Sequence, residues 1–98
     1  MATFDSILTP ASAHGVQIND LANSTASSSQ DTGKNTKFAI VTTGAVTIAF
    51  GATATAASFL IPANTVLTFD TGEQYTSFTV FNVSGSAADI HWLRLSHF

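Results

Sequence analysis

The chain has 98 residues and a mass of 10.2 kDa, room for one domain with a thin core, because a fold of this size buries only about 60–65% of its unfolded surface. Charged residues make up 9% of it and the net charge is −3, with Lys34, Lys37 and Arg94 the only basic side chains besides histidine; no basic patch exists to displace counterions, which excludes a nucleic-acid role. There is no cysteine, so disulfides, thiolate metal sites and cysteine nucleophiles are excluded, and 45% hydrophobic residues at so low a net charge exclude a disordered chain.

Residues 1–36 read as an extended N-terminal arm. The segment 22–36 is polar and Ser-rich without periodicity, the pattern of a linker. Ahead of it stand scattered apolar residues, Phe4, Ile7, Leu8, Val16, Ile18 and Leu21, too few to build a core by themselves. Val16 and Ile18 alternate with polar neighbours, a weak strand signal. These six are expected to be buried against the main domain or against a partner. The stretch from Met1 to Pro10 lacks the basic and apolar regions of a secretory signal, which points to synthesis in a cytoplasm.

Residues 37–98 read as an all-β domain. Lys37–Thr42 is a first strand, Gly44 a turn, and Ala45–Phe50 alternates cleanly, with Val46, Ile48 and Phe50 on one face. A small-residue loop over 51–57 leads to a short apolar run ended by Pro62. A strand over 64–69, a turn at Asp70-Thr71-Gly72, and strands over 76–83 and 88–95 complete the set. Short strands separated by turn signals at this spacing predict an antiparallel β-sandwich or jelly roll. The expected core is Phe38, Ile40, Val46, Ile48 and Phe50, continued by Leu60, Val66, Leu67 and Phe69 and then by Phe78, Val80 and Ile90.

Two strands are apolar on both faces. Phe78 and Val80 oppose Phe81 and Val83, and Ile90 and Trp92 oppose Leu93 and Leu95. A two-layer domain covers one face of each sheet. The second face then needs the arm, another subunit, or a bulge that swaps the inward side. Phe81, Val83, Trp92, Leu93, Leu95 and the terminal Phe98 are therefore candidate interface residues. A homotrimer is the first expectation and a homodimer the second.

Candidate chemistry is sparse. Asp70-Thr71-Gly72 after an apolar strand matches the signature of aspartic proteases, whose retroviral members share a carboxylate dyad between two short chains. It sits too late in the chain and lacks the rest of that pattern, and a hairpin turn accounts for it: Asp caps the backbone and Gly takes positive φ. Asp89, His91 and His97 fall on one face of an unbroken strand, a donor set that suits zinc. His91 and His97 stand about 20 Å apart along such a strand, so one subunit cannot close a site from both. Gly33-Lys34 lacks the flanks of a phosphate loop, and His14 has no recognisable partner. No catalytic residue, metal or cofactor is expected.

The run Ile48-Ala49-Phe50-Gly51-Ala52-Thr53-Ala54-Thr55-Ala56, followed by Phe59-Leu60-Ile61-Pro62-Ala63-Asn64-Thr65-Val66, resembles a pattern in small structural proteins of tailed bacteriophages. A strand ending in Phe-Gly leads into a Thr/Ala-rich loop and a short strand closed by Pro-Ala. The resemblance spans 45–95 and implies a non-enzymatic virion component. The expected role is a capsid cement or decoration protein on the major capsid protein, located on the virion surface. A receptor- or glycan-binding module of a tail or fibre is the alternative.

Overall fold

Alternation decides the body of the protein. In Lys37–Thr42, Phe38, Ile40 and Thr42 are buried while Lys37, Ala39 and Val41 between them stay partly open, the two-residue period of a strand with one face on a core. The computed structural model describes residues 8–10 and 14–97, with side chains from 14 to 95. All regular elements of the described residues are strands: β1 (Leu8–Pro10), β2 (Val16–Leu21), β3 (Gln30–Asp31), β4 (Lys37–Thr42), β5 (Val46–Phe50), β6 (Phe59–Ile61), β7 (Leu67–Asp70), β8 (Ser77–Asn82) and β9 (Ala88–His97).

Two antiparallel sheets form. One runs β2-β9-β4-β7, with β1 pairing the far end of the β9 edge that also holds β2; the other runs β3-β8-β5-β6. The pairs β2–β9, β3–β8, β4–β7 and β5–β6 nest inside one another around the β5–β6 turn. The chain is thus one long hairpin rolled up, and β4–β9 and β5–β8 pairings close the roll. Successive strands from β2 to β5 and from β6 to β9 alternate between the sheets. This is jelly-roll topology, a double-sheet arrangement, and it settles the sandwich-or-jelly-roll expectation.

The core lies between the sheets. Phe38, Ile40, Ile90 and Trp92 from one sheet meet Val46, Ile48, Ile61, Phe78 and Val80 from the other. Phe38 and Phe78 stack across the gap at 4.8 Å between centroids, and Trp92 sets its edge on both, at 5.7 and 5.3 Å. Each fully buried ring of this kind contributes about 2–3 kcal/mol through burial. Phe50, Leu67 and Phe69 pack half-buried at the margin.

Two expected core residues lie elsewhere. Leu60 is 52% exposed and Val66 67% exposed. Leu60 sits opposite Thr47 in the ladder, on the outward side of its sheet, while its neighbours Phe59 and Ile61 take the inward register opposite Ile48 and Val46. Only Ile61 of the three is buried. Val66 precedes β7 and lies on the outward side of the other sheet. In both cases the apolar residue sits on the alternate side of an edge strand.

The arm also differs from expectation. From residue 14 it is part of the sandwich. Val16, Ile18 and Leu21 enter the margin of the core from β2. The polar stretch 24–31 runs along β8, with Ser24 and Ser27 donating backbone N–H bonds to the carbonyls of Asn82 and Val80 at 2.8 Å each. An edge strand with one solvated side needs few apolar residues, and so its sequence reads as a linker.

Candidate interaction surface

The two outer faces are finished differently. On the β3-β8-β5-β6 sheet, the Thr/Ala-rich loop 51–58 folds back over β5 and β8. Thr47 Oγ1 donates to the Thr55 carbonyl at 2.6 Å. Thr79 Oγ1 accepts from the Ala54 amide at 2.7 Å and donates to the Ala52 carbonyl at 2.9 Å. Ala54 is 2% exposed as a result. Small side chains let the loop lie flat, and outward threonines satisfy its backbone.

The outer face of the other sheet has no such cover among the described residues. Register aligns His91 with Val41 and Leu93 with Ala39. Ala39 leaves a shallow depression of about 160 Å³ lined by Gly15, Ala39, Val41, Val66, His91 and Leu93. Gly15 is required there, since a Cβ on it would stand 2.9 Å from the Trp92 carbonyl oxygen. A second depression of about 210 Å³ shares Val41 and His91 and adds the polar groups of Thr43, Asn64 and Asp89. At the other end of the face, Lys37 Nζ pairs with Asp70 Oδ2 at 3.2 Å, and Leu95 of β9 stands directly opposite Lys37 in the ladder.

The structure separates the candidate interface residues. Leu93 and Leu95 lie on this outer face, partly open. Trp92 does not: it is 3% exposed, its Nε1 donates to Gln30 Oε1 at 3.1 Å, and the Arg94 guanidinium lies 5.2 Å over its ring. The indole is used within the chain's own core, which removes it as an anchor for another subunit. Val16, Ile18 and Leu21 likewise turn inward. Phe81 and Val83 are half-buried, and Phe81 pairs with Ala26 through an isolated antiparallel bridge. Phe4, Ile7 and Phe98 lie outside the described residues, and Leu8 is placed by its backbone pairing with His97.

The titratable candidates take structural positions. Asp70 Oδ1 accepts from the Gly72 amide at 2.9 Å and Gly72 has φ 63°, the turn that the Asp-Thr-Gly run predicts. Thr71 is buried, donating to the Gly33 carbonyl and accepting from the Thr36 amide, both at 3.0 Å. Asp89 Oδ1 accepts from the Asp20 amide at 2.8 Å, at a bulge in β2 where Asp20 has φ 54°. No group of three histidine, aspartate or glutamate side chains gathers among the described residues.

Sequence reasoning missed Asn82. It is fully buried and fully bonded. Its Nδ2 donates to the carbonyls of Leu21 and Ser86 at 2.8 and 2.7 Å, and its Oδ1 accepts from the Ser84 amide and hydroxyl at 2.8 and 2.7 Å. It ties the end of β2 to the β8–β9 turn. Beside that turn Gly44 approaches so closely that a Cβ would lie 2.8 Å from Ser84 Cβ. An asparagine before a Ser-Gly-Ser turn was the available signal.

Compared with known proteins, the chain matches no family model, no curated protein and no solved structure.

Proposed function

We propose that the protein is a non-enzymatic structural component of a bacteriophage virion, a cement or decoration protein that attaches to the outside of the major capsid lattice. The observation that carries the reading is the asymmetry of the two outer faces. One is covered over β5 and β8 by the chain's own loop. The other, built on β9 and β4, presents Val41, Leu93 and Ala39 around a shallow apolar depression with its ion pair set at one end. Such a face beds on a large flat partner without stripping water from many charges, which is the costly part of burial.

Two further points support it. Jelly rolls recur in viral capsid domains, an argument by analogy of fold. A shell also repeats its sites many times, so a weak contact per copy suffices to hold the lattice. The tail-module alternative draws less support: Trp92, the side chain best suited to stack on a sugar, is inside the core.

Quantitative gel analysis of virions purified from the encoding phage tests the reading. A cement protein is present in copy numbers comparable to the major capsid protein. A content of tens of copies or fewer assigns the chain to the tail, and absence from the particle refutes both.

A further inference from the structure

The outer face of the β2-β9-β4-β7 sheet carries a carboxylate near each end, and the chain treats the two differently. Ile90 and Trp92 face the core, so Asp89, His91, Leu93 and Leu95 face outward. Register sets them against β4 in rows: Leu95 opposite Lys37, Leu93 opposite Ala39, His91 opposite Val41. Beyond Lys37 stands Asp70 of β7, ion-paired with it at 3.2 Å. Asp89 lies at the far end of the face, half-buried. Its Oδ1 accepts from the Asp20 amide at 2.8 Å, and no lysine or arginine comes within ion-pair distance of it among the described residues.

The chain has no cation placed to serve Asp89. Lys37 is held by Asp70. Arg94 donates to the carbonyls of Asp31 and Thr32 and lies over the buried Trp92 ring. Lys34 stands in the turn before β4, at the Lys37 end of that strand. Between the two ends run the two depressions, which meet at Val41 and His91. The one over Ala39 is apolar and about 160 Å³ in volume, close to the cavity of about 150 Å³ that takes a benzene ring. The other ends at Asp89, Thr43 and Asn64. Leu93 and Asp89 are four residues apart along β9, a span of about 13 Å.

We infer that this face receives a shell-protein surface of defined chemistry: one aliphatic or aromatic side chain seated over Ala39, and a lysine or arginine about 13 Å away that ion-pairs with Asp89. The inference rests on the shell-attachment reading and adds the partner's charge and its direction on the face. Covering a half-buried carboxylate strips water from a charge, which only an opposite charge or further donors compensate. Turned end for end, the partner's cation would meet a carboxylate that already has Lys37. A second copy of this chain is the wrong occupant, since it carries −3 and has Lys34 alone to offer.

Sedimentation of the full chain with undecorated particles of the encoding phage gives the test. Wild-type affinity is expected to fall severalfold as NaCl rises from about 50 to 500 mM, because salt screens a partly exposed ion pair. Asp89→Asn keeps an oxygen for the Asp20 amide and removes the charge. It is expected to bind about tenfold more weakly at low salt and to lose most of the salt response. Asp31→Asn makes the same change of net charge on the other sheet and is expected to bind as the wild type does, with the circular dichroism of both variants unchanged. Wild-type binding that salt leaves unaltered, Asp89→Asn binding at the wild-type level, or equal weakening of the two variants overturns the inference and leaves attachment to the shell standing. A dimer of the isolated chain that Asp89→Asn dissociates, read by native mass spectrometry, puts a second copy on the face and overturns it as well. No binding by the wild type at any salt refutes attachment itself, and the inference with it.

Discussion

Asn82 is the residue on which two parts of the roll depend. Its side chain serves the Leu21 carbonyl and the Ser84 amide and shares the Ser86 carbonyl with the Ser84 hydroxyl. Asn82→Ala removes the side-chain partner of the Leu21 carbonyl and the Ser84 amide and buries a space where a bonded amide stood. It is expected to lower unfolding free energy by about 2–4 kcal/mol, the cost of several unmet hydrogen bonds, read as a fall in the urea midpoint at constant m. Trp92 makes the complementary point. Trp92→Phe removes the bond to Gln30 and part of the ring contact with Phe38 and Phe78. A loss of about 1–3 kcal/mol is expected, with no change in native mass, because the indole faces the core rather than a subunit. A Trp92→Phe variant that kept full stability but lost association would reverse that assignment.

At the scale of elements, the loop 51–58 is the least expected. Its Thr/Ala composition reads as a small-residue loop, and three hydrogen bonds with outward threonines hold it on the sheet. Thr79→Val keeps the shape of the side chain and removes the hydroxyl that serves both Ala52 and Ala54. Amide exchange at Ala54 is expected to accelerate well beyond the change in global stability, since local opening then exposes only the loop. Equal protection in the variant would show that packing of Ala54 alone holds the loop. The edge strands explain why 16–31 hid in the sequence. Strand β2 shows its alternation through Val16 and Ile18, but β3 and its approach pair with β8 through backbone groups, and backbone pairing leaves no mark on composition.

For the whole molecule, the rolled hairpin leaves one outer face open, and Ala39 sits at the bottom of its depression. Ala39→Lys fills the depression and places a charge on the face, while the methylene stem packs on Leu93 and Val41. Stability is expected to change by less than about 1 kcal/mol, and occupancy on the virion, measured by gel after dialysis against undecorated particles, to fall by tenfold or more. Unchanged occupancy, or no binding by either protein, would count against the proposed attachment through this face.

Alternation and turn chemistry by themselves determined that the chain is all-β. They placed Phe38, Ile40, Val46, Ile48, Phe78, Val80 and Ile90 inside and identified Asp70-Thr71-Gly72 as a turn, because a strand's two-residue period and the φ of glycine are local properties. They also showed that the last strand is apolar on both faces. Which strands are edges, and so which apolar residues remain outside, was decided only when the chain rolled up. Leu60 and Val66 are exposed and Trp92 is enclosed for that reason: burial depends on what the opposite sheet and the neighbouring strand supply, and those partners come from residues far away along the chain, as Gln30 does for Trp92 and Leu21 for Asn82.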